Sequence, residues 1–368
     1  MKKKLLILLS AILILFTSCD LTYQKAPKSK IYLIACGVGF NGTGNALRNP
    51  LSDTEAMVQQ FQELCEAGGN EYEIVWYTDD RDINHASTID PRRFTFRHID
   101  NGKEPTVTAL YDSPTTLTLT SAQFNNMFFE RIDEILTTKP TENDLLIFYF
   151  SGHGDSSINK DSEGGPYLYY GSGKNIVSLS YDKIFSKLDR YEGRQFCIFD
   201  CCYSGASIDN PGHFHNKYDH ELGTMNSFNE GYTYDSYYDT ISRTDTKAPD
   251  SIFNFVASSF EHTISPSGQG IPKRICLNAS SYGQVAMDSD TGREVNITEY
   301  GGMTYRLLKY LGYDMVSRKA APPNMKKKTI TASDLYKTVY DNISDSLKKT
   351  STPNITRSSY DMLLWDLR

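Results

Sequence analysis

Five short runs with little polar content punctuate the chain: Ile31–Cys36, Glu73–Tyr77, Leu145–Phe150, Phe196–Phe199 and Ile252–Ala257. Each is too short for a helix, and most are continuous rather than alternating, which fits strands of a sheet covered on both faces. The segments between them carry apolar residues at helical spacing. Met57, Phe61, Leu64 and Cys65 form one stripe, opened by a Ser52/Glu55 capping box and closed by Gly68-Gly69. Phe124, Met127, Phe128, Ile132, Ile135 and Leu136 form another, opened by Thr120 with Gln123. Ser180–Leu188, Glu299–Leu311 and Ala332–Leu347 are further predicted helices, the last capped by Thr331 and Asp334. Strands alternating with helices predict an α/β fold with a mainly parallel sheet flanked by helices.

Two stretches break this rhythm. In 79–116, Asn101-Gly102 separates RRFTFRHI from EPTVTALY, the signature of a surface hairpin inserted into the connections of the sheet. In 207–250, only Ile208, Leu222, Met225 and Ile241 are aliphatic, too few for a core, and a long exposed insert is predicted. Past a basic, Pro-containing connector (KAAPPNMKKK), Ile330–Leu367 closes the same domain, which therefore spans 31–368. Gly37, Gly39 and Gly42 match G-x-G-x-x-G, but the next helix opens only after Pro50, so no dinucleotide site is read there.

The first 18 residues stand outside the fold. Met1–Lys4 is basic, Leu5–Phe16 is apolar but too short to span a bilayer, and Thr17-Ser18 leads to Cys19. This resembles a lipoprotein signal, with Cys19 lipidated as the mature first residue, 19–30 a polar tether, and the product anchored at a bacterial envelope membrane. Removing residues 1–18 takes away three lysines and no acid, moving the formal charge from −7 to −10. So acidic a chain excludes nucleic acid as a partner held by bulk charge and favours a cationic one. Of seven cysteines, the six beyond Cys19 lack the spacing of a disulfide scaffold.

The chemistry lies where two apolar runs end. Leu145–Phe150 delivers Ser151, Gly152, His153 and Gly154; Phe196–Phe199 delivers Asp200, Cys201, Cys202, Tyr203, Ser204 and Gly205. Parallel strands place such residues at the carboxyl edge of the sheet, where sites form. An imidazole beside a thiol is the pair that nucleophilic acyl transfer needs. Gly154, lacking a side chain, lets its amide approach a developing oxyanion, and the Cys202 amide is the natural second donor.

FYFSGHGD followed by FDCCYSGA resembles the caspase/metacaspase superfamily of cysteine peptidases, in particular its bacterial metacaspase-like branch with S-G-H-G and D-x-C-x-S-G motifs. The resemblance covers roughly residues 31–310, departs at Tyr203, where metacaspases often carry His, and lacks the true caspase signature. It implies a caspase-like three-layer sandwich around a six-stranded sheet, with His153 and Cys202 as the catalytic dyad of an endopeptidase acting on peptide or protein substrates. It further implies cleavage after Lys or Arg, with Asp200 and Asp53 in the substrate pocket and Ser258-Ser259 against the substrate backbone. No cofactor is implied; some metacaspases require calcium, and no loop here is assigned to it. Two other readings compete: a catalytically silent caspase-like binding module, and a metal module built from His213, His215, Asp219, His220 and Glu221 in the insert. Nothing in the sequence sets the oligomeric state.

Overall fold

The computed structural model describes residues 28–40, 46–79, 94–110, 121–155, 165–170, 176–179, 181–209, 273–281, 284–286, 300–323, 328–349, 351–356 and 361–368. In chain order the elements are β1 (Ile31–Val38), α1 (Asn49–Gly68), β2 (Tyr72–Asp79), β3 (Phe94–Asp100), β4 (Thr106–Ala109), α2 (Ser121–Ile135), β5 (Leu145–Gly152), β6 (Gly154–Asp155), β7 (Gly165–Tyr170) and β8 (Ile176–Ser178). They continue with α3 (Tyr181–Leu188), β9 (Arg194–Asp200), α4 (Ala206–Asp209), β10 (Arg274–Asn278), α5 (Gly302–Leu311), β11 (Thr329–Thr331), α6 (Ala332–Asp341), α7 (Asp345–Lys348), β12 (Asn354–Ile355) and β13 (Leu363–Asp366).

The main sheet runs β12-β10-β9-β5-β1-β2-β3-β4. Its five central strands, β10 to β2, are parallel; β12, β3 and β4 join antiparallel at the edges. The expected six-stranded sheet is thus an eight-stranded mixed one. Part of the difference is the Asn101-Gly102 hairpin, which extends the sheet by pairing with β2 instead of standing off its connections. Asn101 and Gly102, the central residues of a turn closed by Lys103 N on the Asp100 carbonyl (3.0 Å), both take positive φ, 46° and 73°, the conformation that Asn-Gly favours.

Period-two alternation divides each central strand between two cores. In β1, Ile31, Leu33 and Ala35 join a core built from α1, α5 and α6, whereas Tyr32, Ile34 and Cys36 join one built from α2 and α3. The helices therefore lie on both faces, which gives three layers. β11 and β13 pair as a separate ribbon, whose Trp365 sets its indole edge-on to Phe61 of α1.

Several boundaries differ from expectation. α1 starts at Asn49 with Pro50 in its first turn and no side-chain cap, so Ser52 and Glu55 lie inside the helix. Proline's fixed φ and missing N–H open a helix without help. α6 has the Thr331/Asp334 capping box but ends at Asp341, with α7 as a separate turn. Ile252–Ala257 lies outside the described residues; the strand beside β9 is β10, which begins at Arg274, twenty-two residues after Ile252.

Candidate active site

β5 and β9 are parallel neighbours whose last paired positions are Ser151 and Asp200. His153 and Cys202 each lie two residues beyond that pair, so the register sends both past the same point on the carboxyl edge. The two exits then meet. A β-carbon on Gly154 would collide with the Cys202 carbonyl oxygen and lie 2.9 Å from Cys201 Sγ. Only glycine lets the histidine segment come this close to the cysteine segment.

The two adjacent cysteines have different surroundings. Cys201 is buried, and burial pushes its thiol well above the usual range; its Sγ lies 3.8 Å from the Tyr181 hydroxyl. Among the six described cysteines, Cys202 alone is not fully buried, and its Sγ lies 3.9 Å from the Ala286 carbonyl. A nucleophilic thiol has to reach both thiolate form and substrate, and those demands favour Cys202.

The cysteine loop is pinned to the exit of β10. Ser280 donates its N–H to Ser204 Oγ (3.1 Å) and its hydroxyl to the Cys201 carbonyl (3.4 Å). Tyr203, in the left-handed region at φ 58°, donates its N–H to the Gln284 carbonyl at 2.8 Å. The Gln284 side-chain oxygen in turn accepts from Thr352 N at 2.7 Å and Ser281 N at 3.3 Å. Gln284 thereby ties the cysteine loop, the β10 exit and the C-terminal segment together. The β10 exit reads Ala279-Ser280-Ser281, the same tripeptide as Ala257-Ser258-Ser259 in the segment picked from sequence. Repetition of that tripeptide was the available signal for the alternative strand. Ser258 and Ser259 themselves lie outside the described residues, as do Cys19, His213, His215, Asp219, His220 and Glu221.

Beneath this loop two carboxylates converge. Asp53, with no exposed surface, accepts from Ser151 Oγ (2.8 Å) and from Gly301 N (2.8 Å). Asp200, 8% exposed, accepts from Thr304 N (3.0 Å) and the Thr304 hydroxyl (2.6 Å). Gly301 sits between them: a β-carbon there would lie 2.7 Å from Asp200 Oδ2 and 2.9 Å from Asp53 Oδ2. Both acids are met by amides at the N-terminal end of α5, where the helix dipole favours negative charge. Because the Thr304 hydroxyl donates to Asp200, it must accept at 2.6 Å from the Tyr149 hydroxyl. Burial, then the charges of Asp53 and Asp200, hold that phenol neutral with its pKa well above the usual value. Gly301, Thr304, Tyr149 and Gln284 join a site in which no sign in the sequence placed them. Among the described residues, no group of three or more His, Cys, Asp or Glu side chains is arranged to hold a metal ion.

A family model for the caspase domain of C14 peptidases matches residues 29–363. Among solved structures, the chain is similar to a protein from Geobacter sulfurreducens at 13% identity, covering 92% of this chain and 95% of that one with a TM-score of 0.38. The Drosophila initiator caspase Dronc matches at 9% identity over 93% of this chain and 84% of its own, with a TM-score of 0.42. A secreted C11 cysteine protease from Bacteroides thetaiotaomicron, solved with an irreversible peptide inhibitor, matches at 14% identity over 48% of this chain and 43% of its own, with a TM-score of 0.25. No curated protein matches the sequence.

Proposed function

Since the chain belongs to the caspase-domain family of cysteine peptidases, we propose that it is an active endopeptidase with a Cys202–His153 dyad that cleaves after Lys or Arg. The observation that carries this reading is the close approach of Gly154 to the Cys202 carbonyl, which brings the histidine and cysteine segments together at one sheet edge. In the reaction, His153 takes the Cys202 thiol proton and the thiolate attacks the scissile carbonyl carbon. Negative charge on the carbonyl oxygen is met by the Gly154 and Cys202 amides. His153 then protonates the departing amine, and water attacks the thioester to release the acid and restore the thiol.

A Lys or Arg side chain entering next to the nucleophile needs a carboxylate partner, since an unpaired buried charge is costly. Asp200, two residues before Cys202 and slightly exposed, supplies the contact; Asp53, wholly buried, contributes charge from behind. The same reading extends to the chain's address: Cys19 carries the lipid that anchors the domain to an envelope membrane, and Cys19→Ala releases it to the soluble fraction. Fluorogenic peptides differing only in the residue before the scissile bond test the activity. Wild type and Cys201→Ala hydrolyse the Arg and Lys peptides, while Cys202→Ala and His153→Ala do not. Activity that survives Cys202→Ala, or a preference for Asp over Arg, overturns the reading.

A further inference from the structure

The turn that follows β1 has no part in the chemistry above, yet its backbone is unusual. Phe40 has φ 53°, a region that bulky L-residues rarely enter and that clusters at functional positions. Asp79, at the end of β2, holds it there. The fully buried Asp79 carboxylate accepts from Gly39 N through one oxygen and from Phe40 N through the other, both at 2.8 Å. Leu47 donates its N–H to the Gly39 carbonyl at 2.7 Å. The result is a buried Phe40 ring, 1% exposed, lying on the His153 imidazole with centroids 5.4 Å apart and planes inclined by only 15°. Tyr167 packs against the same pair, its ring 6.5 Å from Phe40 and its N–H donating to the His153 carbonyl at 2.9 Å.

We infer that Phe40 is a positioning residue for His153: its ring, fixed by the Asp79 clamp, holds the imidazole in the plane in which it exchanges a proton with Cys202. This rests on the reading of His153 as the acid–base of the dyad. A parallel ring packed beside it restricts tilting of the imidazole and offers no hydrogen bond to its in-plane nitrogens. Positioning of this kind acts on the chemical step, because small misplacements of a catalytic group are felt in the transition state far more than in binding.

The test is steady-state kinetics on an Arg peptide for wild type, Phe40→Leu, Phe40→Tyr, Asp79→Asn and His153→Ala, each checked for a cooperative melt. Phe40→Leu, which keeps an apolar filler but loses the ring face, lowers kcat by about 10- to 100-fold and leaves KM within about 2-fold. Phe40→Tyr restores kcat to within about 3-fold of wild type. Asp79→Asn replaces one acceptor oxygen with a donor facing an N–H, and lowers kcat in the same way as Phe40→Leu. Wild-type kcat in Phe40→Leu, a loss confined to KM, or a Tyr variant as slow as Leu overturns the inference. Should Phe40→Leu lack a cooperative melt, Phe40→Met carries the same comparison. If His153→Ala keeps full kcat, the dyad reading falls; if it is inactive while the Phe40 variants match wild type, only the positioning role falls.

Discussion

Replacing Glu73 by Gln changes one oxygen to nitrogen at the amino end of β2, opposite the sheet edge that carries His153 and Cys202, and its effect on stability follows from its partners. Glu73 has no exposed surface. Its carboxylate accepts from Lys30 Nζ (2.8 Å), His98 Nε2 (3.0 Å), Thr137 N (2.5 Å), Thr137 Oγ1 (3.0 Å) and Thr138 Oγ1 (3.2 Å). Burial by itself would raise its pKa, but the hydrogen bonds from His98, Lys30 and the Thr137 amide, with the Lys30 charge, outweigh it and hold the group at about 2. The ordinary value is 4.5, and a depression of this size corresponds to about 3 kcal/mol of stability at neutral pH. The folded pKa lies below the unfolded one, so this stability is complete above about pH 5 and is lost as pH falls toward 2, with more than half gone by about pH 3. Urea unfolding at pH 7, 5 and 3, on a Cys202→Ala background to prevent self-digestion, reads it directly. Wild type loses roughly 2 kcal/mol more than Glu73→Gln between pH 7 and 3, and Glu73→Gln in the otherwise intact enzyme keeps its peptidase activity at pH 7. Parallel pH dependence in the two proteins refutes the assignment of this stability to the Glu73 network.

Four further outcomes are expected. Gly154→Ala forces a methyl group onto the Cys202 carbonyl and Cys201 Sγ; overpacking costs about 1–3 kcal/mol, and the displaced strand end lowers kcat/KM on the Arg peptide by about 100-fold. Gln284→Met removes the acceptor for Thr352 N and Ser281 N and lowers thermal stability and activity together, at about 1–3 kcal/mol for the orphaned amides, whereas Gln284→Glu keeps the acceptor and stays within about 1 kcal/mol of wild type by chemical unfolding. Asp200→Asn abolishes the preference for Arg over a neutral residue in the peptide panel, and intact-mass analysis of active wild type shows self-cleavage in the 207–250 insert at Lys217, Arg243 or Lys247, absent from Cys202→Ala.

The strand-end residues of the candidate site were legible in the sequence because their constraints are local. An apolar run buried on both faces has to be continuous, and the residues ending it have to be small or polar; that pattern alone drew attention to His153, Gly154, Asp200 and Cys202 at the carboxyl ends of Leu145–Phe150 and Phe196–Phe199. The Asn101-Gly102 turn was legible for the same reason, since its conformation depends on two residues. Pairing partners were not. The hairpin's addition to β2, and the place of β10 beside β9, depend on contacts between residues distant in the chain, and Ala-Ser-Ser following an apolar run occurs twice. Tertiary packing alone decided the rest: Thr304 and Gly301 reach Asp200 and Asp53 across more than a hundred residues, and Phe40 reaches His153 from a glycine motif whose familiar meaning does not apply here. Sequence thus determined which side chains lie at the strand ends, because burial and turn chemistry act between neighbours. Structure decided what surrounds them, because hydrogen bonds and ring contacts between distant segments carry no periodic signature.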